Sequence, residues 1–353
     1  MKRTLVLLLG AWTMGCGEPA TGSPTCDATA VEGLTVSSRD PYGGAFTLGY
    51  PPYAVDGCSL AYVTTSGELR LRDLAGGDET VLAEAEEVPR RPAIAGDLVA
   101  WEAEIAGKVA VRVHRARGTV TIDGDFDHAG EPRVANDAVV FTGWRGEDDH
   151  GDTDVFLFTP STGAVTVIAS GPAQQRFADV STTHVAWTDF TEDPDGYFGD
   201  DEVDTADVVL LDRETNEQTT RKREGKQAFP LLGAAGKIAY LDWNLVHPEP
   251  KFSAFGIRLG PLTGTGEDDA DVAYVTSLTL YVRPVARGDR IAWVTTDGAG
   301  SALQRRRVDL AAPEETVNVF QSGSVFGPSA SDSMTLVGAS GTNGSVMLRA
   351  FTR

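Results

Sequence analysis

One short phrase recurs along this chain. Residues 91–101, RPAIAGDLVAW, read as a strand, a Gly-Asp turn and a second strand that ends on an aromatic ring. The phrase returns at 52–62, 132–141, 178–187, 230–240 and 284–293, and in a degraded form at 328–337. Its closing aromatics are Tyr62, Trp101, Phe141, Trp187, Tyr240 and Trp293, spaced 39, 40, 46, 53 and 53 residues apart. A fixed motif at such a period marks a repeat architecture, in which each copy is one unit that cannot bury its own faces.

After each aromatic come a loop, an apolar or alternating run, a tight turn and one more short run. Residues 109–113, 154–158 and 207–211 are three of the apolar runs, 160–163 and 213–216 are turns, and 164–169 is a closing run. Short stretches rich in Val, Leu and aromatics between Gly, Pro, Asn and Asp read as strands. Four strands per repeat make the blade of an all-β propeller, whose blades stack around a ring. The closing aromatic is then expected to fill the gap between adjacent blades. A β-sandwich also offers many short strands, but it has no reason to repeat this phrase.

The copies resemble the blades of TolB-like propellers, which have six or seven blades. Pro92, the segment from Gly96 to Trp101 and the segment from Asp207 to Thr215 carry the shared pattern, and the resemblance runs from Pro51 to Arg353. It implies the fold and a periplasmic protein-interaction role. It implies no reaction, because one fold hosts scaffolds, binders and enzymes.

Residues 1–15 have a basic start, Lys2 and Arg3, then an apolar run and small residues, the layout of a secretory signal too short to span a bilayer. The Thr-Met-Gly-Cys segment 13–16 resembles a bacterial lipobox, with Met14 an irregular choice. The resemblance implies cleavage before Cys16, lipidation of that residue and an outer-membrane lipoprotein. Several acyl chains anchor stably at ~0.8 kcal/mol per buried methylene. Residues 16–26 are then the lipidated cysteine and a flexible tether, and 27–353 the propeller. Three cysteines are present. With Cys16 taken by lipid, Cys26 and Cys58 are an even remainder in an exported chain and are expected to form a disulfide, with two buried thiols as the alternative. The last copy lacks an outer strand, and residues 27–38, which contain Gly-Leu-Thr-Val at 33–36, are expected to supply it. That arrangement gives seven blades. A six-bladed ring with one copy peripheral is the alternative.

The formal net charge is −21, and −23 once Lys2 and Arg3 are removed. This argues against nucleic acid, which calls for a basic footprint. No G-x-S-x-G, H-E-x-x-H, phosphate-binding loop or dinucleotide fingerprint occurs, and the five histidines show no metal spacing. The inner strands read as mostly small and apolar. The basic runs 221–223 and 305–307 read as charge that blunts exposed strand edges.

Blades three and four lengthen between their second and third strands. The insertions 143–154 and 188–207 hold 5 and 9 acidic residues against one Arg. Blade five lengthens at the same place, 242–254, with aromatics and His247. All such loops leave one face of a propeller, so three neighbouring blades should build one acidic, aromatic rim. Asp193, Asp195, Asp200, Asp201 and Glu202 fall within ten residues interrupted by Gly and Pro, a composition that suits calcium's oxygen-rich, flexible coordination. The spacing does not match an EF-hand, and no other cofactor is expected. A disordered acidic loop that draws cationic partners is the alternative. Together these features point to a monomeric, non-enzymatic, envelope-anchored scaffold that binds a protein or cationic partner. The alternatives are a propeller lyase or hydrolase with its site in the central channel, and a purely structural envelope protein.

Overall fold

The computed structural model describes residues 26–37, 50–116, 118–146, 152–193, 196, 205–246, 253–275, 283–297, 300–311, 313–320, 325–340 and 346–352. These form seven four-stranded antiparallel sheets. Six are built from consecutive strands. The seventh takes Val325–Ala330, Met334–Ser340 and Val346–Thr352 from the C-terminal end and Thr35–Val36 from the N-terminal end. The fold is therefore a seven-bladed propeller closed by its N-terminal segment, and the six-bladed alternative falls.

The innermost strands are Tyr53–Asp56, Arg90–Ala95, His128–Ala135, Gln175–Val180, Gln227–Leu231, Val285–Arg287 and Val325–Ala330. Residues from all seven line one axial space. The two acidic insertions join the second and third strands of their blades, after Ala138–Trp144 and after His184–Asp189. They leave the face from which the inner strands start.

Side-chain alternation explains how blades stack. In blade two's second strand, Leu98–Ile105, the residues Val99, Trp101 and Ala103 join Ala61, Val63 and Leu69 of blade one in one buried cluster. Leu98 and Ala100, on the opposite face of the pleat, join Val139, Phe141 and Phe156 of blade three. The same arrangement puts Trp187 with Val140 and Val155, Tyr240 with Val208 and Leu210, and Trp293 with Ala239 and Ile257. Tyr62 meets Leu336 and Leu348 of blade seven, which closes the ring. The residue before the aromatic is Ala61, Ala100, Ala186, Ala239 or Ala292 in five of the six copies. Each faces the next blade, so a small side chain leaves room for the next large ring. Burying one such aromatic contributes on the order of 2–3 kcal/mol.

The phrase at the start of each repeat is not a plain strand. Register shifts fall between Arg90 and Ala93, Gly130 and Arg133, Arg176 and Asp179, and Ala228 and Leu231. Inside these bulges Arg91, Glu131, Phe177 and Phe229 adopt positive φ, between 49° and 57°. The next residue is Pro92, Pro132, Ala178 or Pro230. Proline fits because the bulge has no ladder bond for an N–H to make. The left-handed residue turns its own N–H out of the sheet and toward the preceding blade, where a buried donor must find an acceptor. Glu131 N–H donates to Glu102 Oε1 at 2.6 Å, Phe177 N–H to Glu131 Oε2 at 3.3 Å and Phe229 N–H to Thr188 Oγ1 at 3.1 Å. The bulge thus clasps blades three, four and five each to the one before it.

The N-terminal segment seals the ring on two sides. Asp27 caps a short 3-10 turn, Ala28–Ala30, by accepting the Thr29 N–H. Thr35 and Val36 then pair with Met347 and Val346 of the last strand, while Ser37 N–H donates to Val63 O of blade one at 2.8 Å. A Cys26–Cys58 disulfide ties the segment to the first turn of blade one.

Three arginines of the basic runs do not blunt edges. Arg221 is fully buried and donates to Gly264 O at 2.6 Å and to Thr263 O at 3.3 Å, both in blade five. Arg305 reaches Thr352 O of blade seven at 3.1 Å, and Arg306 donates to Val272 O of blade five. Each bolts its own blade to a neighbour by satisfying turn or strand carbonyls that the sheets leave open.

Candidate functional site at the ring axis

Arginines from three blades converge on one ring. The guanidinium carbons of Arg91, Arg133 and Arg283 lie 4.8, 4.7 and 5.7 Å from the centroid of Tyr50. A ring that meets blades two, three and six at once stands on the axis. Arg283 donates to Tyr50 Oη at 3.1 Å. Burial and the charge of Glu131 push the Tyr50 phenol up against the pull of the arginines, so it stays protonated.

Two buried carboxylates flank this collar and hold Arg91 in it. Glu102 is fully buried; its Oε2 accepts from Arg90 Nε at 2.8 Å, and its Oε1 from Arg91 Nη1 at 2.9 Å. Glu131 Oε1 accepts from Arg176 Nη2 at 2.7 Å, and Oε2 accepts from Thr142 Oγ1 at 3.1 Å. Burial alone would raise the Glu131 pKa. Arg176, Arg91 and the Phe177 N–H outweigh it and hold the group down to about 2. Arg133 is shifted down as well, but against its charged form: burial, then the like charge of Arg283, pulls it down to about 10.

On the far side of Arg133 lies a chamber of about 340 Å³. It runs to Gly96, Asn136 and Thr182, exposed residues in the turns that end the inner strands. Asp56, Asp179 and Arg287 also line it. Asp56 pairs with Arg287 and accepts the Gly96 N–H at 2.8 Å, and Asp179 Oδ2 accepts the Leu232 N–H at 2.8 Å. These bonds tie blade six to blade one, blade one to blade two and blade four to blade five.

The residues singled out from sequence fall elsewhere. Cys16, Asp195, Asp200, Asp201, Glu202 and His247 lie outside the described residues. Asp193 is buried at the foot of its insertion and accepts N–H groups from Gly196 at 3.2 Å and Thr205 at 2.7 Å, closing the loop across its base. Among the described residues no group of three or more His, Cys, Asp or Glu is placed to hold a metal. The inner strands are not mostly small and apolar: they carry Arg90, Arg91, Glu131, Arg133, Arg176 and Asp179. A signal for this was present. Arg91, Glu131, Phe177, Phe229 and Arg283 all occupy one column of the repeat, directly before its first residue or on it, and in the first four a bulge with positive φ re-aims that column. Tyr50 belongs to no repeat and carried no such signal.

No family model and no curated protein matches the sequence. Solved structures of similar fold include oligogalacturonate lyase from Vibrio parahaemolyticus, at TM-score 0.60 and 10% identity over 86% of this chain and 90% of that one. The β-propeller domain of the Trilobed protease from Pyrococcus furiosus matches at TM-score 0.59 and 8% identity over 91% of this chain and 93% of that one. That domain is described as having an open velcro topology, whereas here Thr35–Val36 hydrogen-bonds to the last strand. TolB from Acinetobacter baumannii is similar at TM-score 0.47 and 13% identity over 76% of this chain, which spans 63% of that protein's length. At these identities the likeness is one of fold.

Proposed function

We propose that the protein is a non-enzymatic binding scaffold of the bacterial envelope, held by lipid on Cys16. It engages a protein or cationic partner through the acidic loops of blades three and four. The observation that carries this reading is how the axial carboxylates are used. Both oxygens of Glu102 and of Glu131 already accept from arginine, hydroxyl or N–H donors that hold the ring together. A general base at neutral pH needs a free lone pair and a pKa near the working pH. Glu131, held at about 2, has neither. The sequence resemblance to TolB-like propellers and the lipobox support the envelope setting. The 9 acidic residues of the 188–207 insertion support a cationic partner.

The test pairs capture with turnover. Immobilised protein is exposed to envelope extract at low and high salt, beside a variant whose 194–204 segment is replaced by a short Gly-Ser turn. A partner released by salt and not retained by the variant is the expected result. A partner held equally by both proteins would move the interface off the acidic loops. Sustained cleavage of oligogalacturonate or peptide by the purified protein would overturn the non-enzymatic reading. Cys16→Ser should move the protein from the membrane to the soluble fraction; unchanged membrane fractionation would remove the anchor.

A further inference from the structure

Two guanidiniums on the axis have no counter-charge in contact. Arg133 is half-buried and, among the described residues, has neither a hydrogen-bond nor an ion-pair partner; its guanidinium lies over the Tyr50 ring, and the charges of Asp179 and Glu131 reach it without making contact. Arg283 is only 3% exposed. It spends its terminal nitrogens on neutral oxygens, Tyr50 Oη at 3.1 Å, Pro230 O at 2.8 Å and Phe177 O at 3.4 Å, and its Nε is buried with no acceptor. Leaving buried cations unpaired is costly, and the depressed pKa of Arg133 reflects that cost. Other arginines of the inner strands meet carboxylates: Arg90 and Arg91 on Glu102, Arg176 on Glu131, Arg287 on Asp56. Arg133 and Arg283 are the exceptions on the axis, and Arg133 forms part of the wall of a solvent-connected chamber.

We infer that the axial chamber is a binding site for a small organic monocarboxylate, held by the guanidinium of Arg133. The planar guanidinium fork matches a carboxylate with two parallel N–H···O bonds. The chamber's volume of about 340 Å³ lies at the lower end of the range for small-molecule sites. Ala93, Val134, Leu231 and Val285 contribute an apolar wall for the ligand's hydrocarbon body. Asp179 in the same wall repels a second negative charge, which selects a single carboxylate over a phosphate dianion or a polyanion. Tyr50 and its arginine collar close the channel beyond Arg133, so a ligand enters from the turn end, carboxylate first. This site goes beyond the partner-binding face: it opens at the opposite end of the ring from the acidic loops, and each can fail without the other.

The probes are butyrate, its neutral isostere butyramide, inorganic phosphate, and a short N-acetylated peptide with a free or an amidated C-terminus, each titrated into the full-length protein by calorimetry. Butyrate should bind at least tenfold more tightly than butyramide or phosphate. Arg133→Gln should weaken butyrate at least tenfold while circular dichroism reports an unchanged β-sheet spectrum. Thr182→Trp, an exposed change at the mouth that leaves Arg133 in place, should block entry and carries the test if Arg133→Gln does not fold. If the free-acid peptide binds and its amide does not, the carboxylate belongs to a peptide end; if butyrate binds and neither peptide does, it belongs to a free small acid. No heat from any probe, equal affinity for butyrate and butyramide, or butyrate binding unchanged in both variants would overturn the assignment.

Discussion

Glu102 Oε1 accepts the backbone N–H of Glu131 at 2.6 Å, so a side chain beside the closing aromatic of blade two holds the bulge of blade three. Glu131 passes the contact on, accepting the N–H of Phe177 in blade four at 3.3 Å. The clasp depends on Glu102 being a charged acceptor, because the same carboxylate also neutralises Arg90 and Arg91. Glu102→Ala should lose roughly 3–5 kcal/mol, the cost of leaving buried cations and an N–H unpaired. Glu102→Gln keeps an acceptor and should lose less, roughly 1–3 kcal/mol. Urea unfolding of the three proteins checks the order; equal midpoints would show that the clasp contributes nothing.

The N-terminal closure should behave as a separable latch. The Cys26–Cys58 disulfide spans 32 residues, and loop-closure entropy for a loop of that size is worth roughly 3–4 kcal/mol. Cys58→Ser should lower the unfolding free energy by about that amount. The strand it secures has two residues, so the loss should be local before it is global. The amide of Leu348, which donates to Leu34 O at 3.0 Å, should lose protection against hydrogen exchange while the Trp101 amide in blade two keeps its own. Loss of protection at both sites together would mean that the latch and the ring unfold as one unit.

Much of the fold was legible because it is carried by side chains that repeat. The Ala100–Trp101 pair states a packing rule that five of the six full copies follow, and the missing outer strand of the last copy points to Thr35–Val36. Backbone-level features were less legible. A bulge leaves no mark in hydrophobic periodicity, so Arg91 and Glu131 read as strand residues although their positive φ aims them elsewhere. Arg221 reads as surface charge because its acceptors are carbonyls of the next blade, which sequence does not display. Tyr50 is legible only through the arginines that surround it in space.

Gly233 marks a place where two inner strands touch backbone to backbone. A Cβ there would lie 1.8 Å from Ala286 O of blade six. The next residues reinforce the contact: Ala234 bridges Gly288, and Ala235 N–H donates to Gly288 O at 2.7 Å. The obstacle is main chain with no rotamer to yield, so Gly233→Ala must separate blades five and six. It should cost roughly 1–3 kcal/mol, the usual range for overpacking. Thermal unfolding checks this, and an unchanged midpoint would show that the ring flexes at this junction.

The pH dependence of stability should carry the signature of Glu131. Its folded pKa is held at about 2, below the ordinary 4.5, so the folded state prefers the charged form. A depressed carboxylate contributes stability that is fully present above its unfolded pKa and is lost as pH falls through the folded one. The window is therefore pH 4.5 down to about 2. The displacement corresponds to roughly 3 kcal/mol, undiscounted because the side chain is buried. Asp207 works in the opposite sense. Burial, then the charge of Glu192, raises it to about 6, so its contribution is present at low pH and lost as pH rises through that value. Both proteins in a comparison of wild type with Glu131→Gln share Asp207, and its effect cancels. The variant should be less stable at pH 7, and the gap should close as pH falls through the window, because the wild type is losing what the variant never had. Urea titrations at pH 7, 5, 4 and 3 give the gap directly; a gap that stays constant down to pH 3 would mean that Glu131 does not supply this acid sensitivity.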